Sequence, residues 1–455
     1  MDGGAATRAG AGTVHVVGAG LAGLSAALRL AEAGWRVRVH EAAGQAGGRC
    51  RSYPDARLGC RIDNGNHLLM SANRAALAYL ADTGAADALT GPAQAVFPFV
   101  DLARGRRYAV RPNAGPVPWW IASPRRRVPG TGLGDYLAGL AIARARPGTR
   151  LGALVRRESP LYRAFWEPFT VAVLNVDPAE ADAGLLRAVL SETFARGGRQ
   201  CRPLVAREGL SEAFVAPALA RLAALGVEVR LKAPLRAVEV AADGLSAAAL
   251  VFPDGERIAL GPADRVVLAV PPGVAAKLLP AVTVPEGASP ILNAHYRLDR
   301  RVALPDGAPA LGVLGGTAQW IFVRPLARET GTVVSVTVSA ADALIDDDGE
   351  DLAARIWADV AAALEVPADP MPPARIVKER RATFRQTPEN TARRSGAGDS
   401  GLANLVLAGD WTATGLPATI EGAIRSGEIA ARRVGPGAAG HPGDHTSVTR
   451  SEEVA

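Results

Sequence analysis

The chain has 455 residues, 48% apolar and 21% charged, with a formal net charge of +6. That apolar share supplies a sizeable core and excludes general disorder, and the length predicts two or three structural units. Lysine occurs only at Lys232, Lys277 and Lys378, so arginine carries the positive charge; acidic residues are interspersed with it, which argues against a nucleic-acid footprint. Cys50, Cys60 and Cys201 form no CxxC pair, so a reducing compartment is expected and a structural metal site is not. The opening residues, MDGGAATRAGAG, lack the apolar run of a signal peptide, and no apolar run is long enough to span a bilayer. A cytoplasmic protein is expected, free or on the inner face of the membrane.

Residues 1–12 read as a disordered tail. Thr13 to Val17 alternates β-branched residues and predicts a buried strand. Gly18, Gly20 and Gly23 follow as GxGxxG. Leu21 to Ala33 then has helical spacing, Gly34 suits a C-cap, and Trp35 to Val39 predicts a second strand before Glu41. In that order the first glycine permits a tight turn. The second lets backbone approach a pyrophosphate, and the third lets helix pack close to strand. Leu21 and Ala22 open the helix, where free N–H groups attract phosphate. Glu41 lies where an acid bonds both ribose hydroxyls, which disfavours a 2′-phosphate and hence NADP. Gly47 and Gly48 can bend the chain back over the pyrophosphate, where Arg49 adds charge.

Residues 72–202 read as helix-rich. Residues 203–280 predict a helix over Leu210 to Leu225 and strands in VEVRL, LRAVEV, AALVFPDG and VVLAVPP. Residues 281–400 mix strands with a helix, Asp351 to Leu364. Residues 401–433 give a strand ending at Ala408 and a helix from about Ile420, and 434–455 read as a second disordered tail. The expected fold is α/β. A Rossmann-like nucleotide domain is assembled from 13–71, 203–280 and 401–433, and a discontinuous α+β substrate domain from the insertions 72–202 and 281–400.

The pattern VxGAGLAGLxAAxxLxxxGxxVxxxExxxxxGGR resembles the amine oxidase and carotenoid desaturase superfamily of FAD enzymes. The resemblance implies FAD as cofactor. It also implies that LVLAGDWTATGLPATIEGAIRSG closes the flavin site. There Gly409 and Asp410 meet the ribityl chain, and backbone N–H groups near Thr419 and Ile420 face the flavin N1/O2 edge. With IDNGNHLLMSA (Ile62 to Ala72) and FWEPFTVAVLNVDPAEADA (Phe165 to Ala183), the wording is similar to the hydroxysqualene dehydroxylases of squalene and hopanoid synthesis. Asn66, Met70-Ser71 and Phe169 depart from the expected pattern and leave room for a different isoprenoid substrate.

The family reaction is reductive loss of an allylic hydroxyl from a C30 polyene. It needs a proton donor, a dry apolar cavity and reduced flavin. His67, Glu167 and Asp63 are the candidate acids. His67 titrates near neutrality, although it reads equally as a flavin-contacting histidine. Glu167, set among Phe165, Trp166 and Phe169, would be raised by burial or be an ordinary helix-start acid. Asp63 also suits a loop-fixing role before Asn64-Gly65, and Asn175 a polar contact in the pocket. Phe165, Trp166, Phe169, Val173, Leu174 and Phe194 are candidate cavity walls. GPVPWWIASPRRRVPG (Gly115 to Gly130), with its Trp pair and Arg run, and the helix DYLAGLAIARA predict peripheral membrane contact, where a lipophilic isoprenoid is met. The sequence names no electron donor. A carotenoid-type desaturase, an amine oxidase and a non-enzymatic flavin scaffold stay open at this level.

Overall fold

The computed structural model describes residues 12–326, 330–396 and 398–436. The tails expected at 1–12 and 434–455 lie outside the described residues, apart from Gly12 and 434–436. A five-stranded, wholly parallel sheet runs in the order Glu228–Arg230, Arg36–His40, Thr13–Val17, Arg265–Leu268, Leu405–Leu407. Its central strands Thr13–Val17 and Arg265–Leu268 are buried at every position after the first because both faces are covered, as parallel sheets require. Helix Leu21–Glu32 covers one face and buries Leu21, Leu24, Leu28 and Leu30. Helix Ile420–Val434 packs across it so closely that a Cβ on Gly427 would sit 2.2 Å from the Ala22 carbonyl oxygen. Ser25 Oγ also donates to the Ile424 carbonyl at 3.0 Å.

The second large sheet has seven strands, in the order Ala374–Phe384, Ala288–Leu298, Thr332–Ser339, Trp320–Pro325, Ala310–Leu314, Phe97–Asp101, Arg106–Val110. All its pairings are antiparallel except that of Ala310–Leu314 with Phe97–Asp101. Helix Gly349–Leu364, N-capped by Asp348, covers one face, setting Leu352, Ile356, Trp357 and Val360 against Leu292, Tyr296, Val334 and Val336. The other face meets a helical layer that includes Glu167–Leu174 and Ala183–Glu192, and the loop 55–67. Residues 72–202 are therefore not purely helical. The two strands between 97 and 110 complete the second sheet, and Phe97–Asp101 is buried at all five positions, so it shows no alternation. The helix expected over 210–225 opens as a π-helical turn, Ser211–Val215, and continues as Ala216–Ala224.

Buried histidines give the fold a pH dependence. His40 is stacked on His15, and His295 lies inside the second sheet with Nδ1 2.8 Å from Ser335 Oγ. Burial pushes both His40 and His295 down to about 4 from an ordinary 6.5. Between those values the unfolded chain binds protons that the folded chain refuses. Their contribution is complete above about pH 6.5 and is lost as pH falls, by roughly 2 kcal/mol apiece at pH 5. The melting temperature is expected to fall between pH 7 and pH 5. A flat profile across that window would contradict the account.

Candidate flavin site

The first turn separates two uses of glycine. Gly18 has φ +105°, and a Cβ there would lie 2.3 Å from the Ala269 carbonyl oxygen. At Gly23 a Cβ would lie 1.9 Å from the Gly18 carbonyl oxygen, so helix and strand could not close. Gly20 is different: nothing lies within 4 Å of its Cβ position. The protein's own packing does not demand a glycine there, and bare backbone faces open space. Gly20 N-caps helix Leu21–Glu32 without a side-chain cap. The N–H groups of Leu21 and Ala22 open that helix, where intrahelical acceptors are absent by geometry. This is an anion seat.

Glu41 follows the second strand, Arg36–His40, and locks the turn. One carboxylate oxygen accepts from the Ala19 N–H and the other from the Ala43 N–H, each at 2.7 Å. The side chain stays partly exposed, and each oxygen keeps capacity for a ribose hydroxyl. The Gly47 N–H donates to the Ala19 carbonyl at 2.8 Å, and a Cβ on Gly48 would lie 3.3 Å from Gly20 Cα. The two glycine groups thus lie against one another, with Arg49 beyond them. Arg49 Nη2 donates to Asp410 Oδ2 at 2.8 Å, and Nη1 donates to the Ala382 carbonyl. Asp410 is buried, whereas the Arg49 side chain is 40% accessible although it is tied at both ends, so it lines the open space. The Asp410 charge holds the guanidinium protonated.

Gly409 precedes Asp410 after strand Leu405–Leu407, with φ +146°. Thr419 N-caps the last helix, its Oγ1 accepting from the Gly422 N–H at 3.1 Å. Ile420 is the first residue of that helix, so its N–H joins the same kind of electropositive end. Glu421, on the next position, is structural. Its carboxylate accepts from the Ala75 and Ala76 N–H groups at 3.0 and 2.9 Å, capping helix Arg74–Asp82, and from Arg425 at 3.0 Å.

The proposed acids separate on inspection. Asp63 is committed to structure, with Oδ1 accepting from Ser52 Oγ at 2.5 Å and from the Leu210 N–H at 3.0 Å. Glu167 corrects the expectation of burial among aromatics. It is exposed, and its carboxyl faces Asp177, Arg157 and Arg163 while the rings pack elsewhere. Desolvation by the surrounding chain and the Asp177 charge push it up; the two arginines oppose them. Asn175 is also not a pocket contact. It takes a left-handed conformation, φ 51°, and its amide bonds the Ser289 carbonyl, Thr383 Oγ1 and the Ala340 N–H. His67 is half-buried and lies within electrostatic reach of Arg49. Burial, and next the Arg49 charge, push it down to about 4, so the protein alone holds it as neutral imidazole at pH 7. Its neighbour Asn66 donates to Thr337 Oγ1 at 3.1 Å on the second sheet.

Within the core cluster between the helical layer and the second sheet, four aromatic side chains pack as a chain of rings. Phe165 stacks on Phe169 with centroids 5.4 Å apart, and Phe194 stands edge-on to Phe169 at 5.4 Å and reaches Phe97 at 5.6 Å. Two residues not singled out from sequence fix the flavin loop, one of them by tying it to the helical layer. Buried Gln386 donates to the Leu174 carbonyl at 2.7 Å and accepts from the Ala418 N–H at 2.8 Å. Buried Arg394 donates to the carbonyls of Leu416 at 2.8 Å, Asp410 at 3.2 Å, Trp411 at 3.3 Å and Thr412. Neither carries a local motif; both act through backbone that the fold brings to them.

These residues fit a dinucleotide with a flavin end: bare backbone at Gly20, an acid just after the second strand, a half-buried guanidinium, and a helix terminus at Thr419. The model of the flavin containing amine oxidoreductase family matches residues 21–435. A hydroxysqualene dehydroxylase of Rhodopseudomonas palustris is 48% identical over 92% of this chain and 97% of its own. One from Sinorhizobium fredii is 46% identical over the same shares. Among solved structures, a variant of putrescine oxidase has a TM-score of 0.67 at 19% identity, covering 93% of this chain and 98% of its own. A cyclohexylamine oxidase from Brevibacterium oxydans has a TM-score of 0.66 at 17% identity over the same shares. The chain is an FAD-dependent oxidoreductase and belongs to the hydroxysqualene dehydroxylases within the flavin containing amine oxidoreductase family.

Proposed function

We propose that the protein reductively removes the hydroxyl of hydroxysqualene, yielding squalene and water, as a step of squalene and hopanoid synthesis. The observation that carries this reading is the near full-length likeness, at 42–48% identity, to three relatives named for that activity. The geometry supports it. The packed rings Phe165, Phe169, Phe194 and Phe97 give the helical layer an apolar, water-free interior, the kind of surrounding a hydrocarbon chain requires. A positively charged wall arginine and a helix N-terminus suit an anionic cofactor beside it.

When bound in its reduced form, FAD supplies the hydride that replaces the hydroxyl. Gly20, Leu21, Ala22 and Arg49 hold the diphosphate, Glu41 the ribose, and Asp410, Thr419 and Ile420 the flavin end. With Asp63 engaged and Glu167 outward, His67 is the group left to act on the hydroxyl. As a neutral imidazole it would orient the oxygen through a ring N–H and pass that proton to the departing hydroxyl, which leaves as water, while its other ring nitrogen takes a proton from solvent and the ring ends neutral.

The test is anaerobic. The purified flavoprotein is photoreduced and mixed with hydroxysqualene in detergent, while flavin absorbance is followed and the lipid is extracted for mass analysis. Stoichiometric squalene with reoxidised flavin is expected. Substituting His67→Ala should slow reoxidation by about 100-fold, with His67→Gln retaining part of the rate and both keeping normal FAD content. Failure of the folded, flavin-loaded protein to turn over would sink the reading in favour of a desaturase. The same assay with oxidised flavin and a more saturated polyene would then show that activity.

A further inference from the structure

The five exposed residues Val117, Trp119, Leu133, Leu137 and Leu140 are half of the ten large apolar side chains most open to solvent among the described residues. They fall within a short stretch. Trp119 is 70% accessible and Leu137 61%. The two 3-10 turns Trp119–Ala122 and Leu133–Tyr136 bury no residue at all, and helix Leu137–Ala143 buries only Ile142. Trp120 meets Tyr136 edge-to-face at 5.5 Å, and the Tyr136 hydroxyl accepts from the Val128 N–H at 3.0 Å, so the turns are pinned together. The apolar side chains therefore face outward from a fixed platform. Arg125, Arg126, Arg144 and Arg146 are exposed around them. None of these four takes part in an ion pair among the described residues. The one acid of the platform, Asp135, is occupied by the Gly132 N–H and Ser159 Oγ, each at 2.8 Å.

We infer that this platform docks on an anionic lipid bilayer, with Trp119, Leu133, Leu137 and Leu140 entering the headgroup–acyl boundary and the arginines engaging lipid phosphates. A second copy of the chain is the poorer occupant, because a symmetric contact would bring the unpaired arginines of both copies together. The lipid choice rests on the proposed lipophilic substrate for its purpose, whereas the exposed ridge and its charge stand without it. The platform also leads inward. A Cβ on Gly139 would lie 3.7 Å from the Trp166 ring, and Trp166 meets Phe165, the first of the packed rings, at 5.1 Å.

The experiment uses the flavin-loaded protein and vesicles of phosphatidylcholine with or without phosphatidylglycerol. Co-sedimentation with the anionic vesicles is expected, weakening as salt rises. Leu137→Glu with Leu140→Glu should weaken binding by about tenfold or more, and Arg125→Ser with Arg126→Ser by a similar factor. Both variants should retain flavin absorbance and melting temperature, since none of the four side chains is buried. Wild type remaining in the supernatant with every vesicle, or variants that sediment like wild type, would overturn the inference. A dimer in sedimentation velocity that dissociates in the Leu137→Glu variant, without vesicle binding, would assign the face to a second copy instead. Vesicle binding without dehydroxylation would leave this inference standing and remove the proposed reaction.

Discussion

Replacing Gly20 with valine is expected to yield a soluble, folded and colourless protein. Gly20 has φ −72° and ψ 175°, a backbone conformation open to any residue, and nothing of the protein lies within 4 Å of its Cβ position. The fold therefore accepts the side chain. The cofactor does not, because the methyl groups occupy the space through which backbone reaches the diphosphate. Affinity for FAD should fall by about 100-fold or more, while the melting temperature of the cofactor-free protein stays within a degree or two of wild type, since exchanging glycine for valine at this N-cap costs only about 1 kcal/mol. Gly23→Val should fail the opposite way. Its Cβ would stand 1.9 Å from the Gly18 carbonyl oxygen, so helix and strand must part and the chain should be recovered insoluble. Titrating FAD against both variants, with near-UV circular dichroism to report packing, checks the contrast. A Gly20→Val protein that binds FAD like wild type would refute this use of the turn.

The second large effect is expected at Arg394. Its guanidinium is buried and donates to four carbonyl oxygens between Asp410 and Leu416, with its Cζ 5.5 Å from the Phe384 ring centroid. Burial pushes it down to about 10, so it stays charged at pH 7. Arg394→Met leaves those oxygens without their donor. The cost should be about 3–5 kcal/mol, a large part of a stability on the order of 5–15 kcal/mol. Spread over a chain of this length, that lowers the melting temperature by only about 4 °C. The loop carrying Asp410 should loosen first, so FAD is released at temperatures where the sheets persist. Arg394→Lys should rescue poorly, since one ammonium cannot reach carbonyls spaced along the loop. Flavin fluorescence during a thermal ramp separates the two events. Coincident release and unfolding, with wild-type affinity at low temperature, would contradict the assignment.

The backbone geometry of the candidate cofactor segment is legible in the sequence because it is local. The turn at Gly18 to Gly23, the acid at Glu41 and the pair at Gly47 and Gly48 follow one another along the chain, and each position has a backbone reason. The exposure of Glu167 is not legible from its aromatic neighbours, because residues adjacent in sequence need not be adjacent in space. On a helix, one step turns a carboxylate away from the rings on either side of it. Asn175 looked polar and available, yet its left-handed backbone at the end of Glu167–Leu174 spends its amide on the second sheet. Phe97–Asp101 escaped because a strand buried on both faces lacks alternation, and Pro98 reads as a breaker. Arg394 and Gln386 could not be found from spacing, because their partners are main-chain atoms.

The pairing of the first helix with the last has a consequence for biosynthesis. Ser25 bonds Ile424 across 399 residues, and strand Leu405–Leu407 closes the sheet that Thr13–Val17 begins. At about 5–20 residues per second, a ribosome needs roughly 20–80 s to make the intervening chain. Throughout that interval the face of Leu21–Glu32 that will receive Gly427 has no partner, and the flavin loop does not yet exist. Cofactor capture must therefore follow translation. The nascent chain presents an uncovered apolar helix that invites chaperone holding, and flavin supply in the cell should govern how much of the finished polypeptide escapes proteolysis.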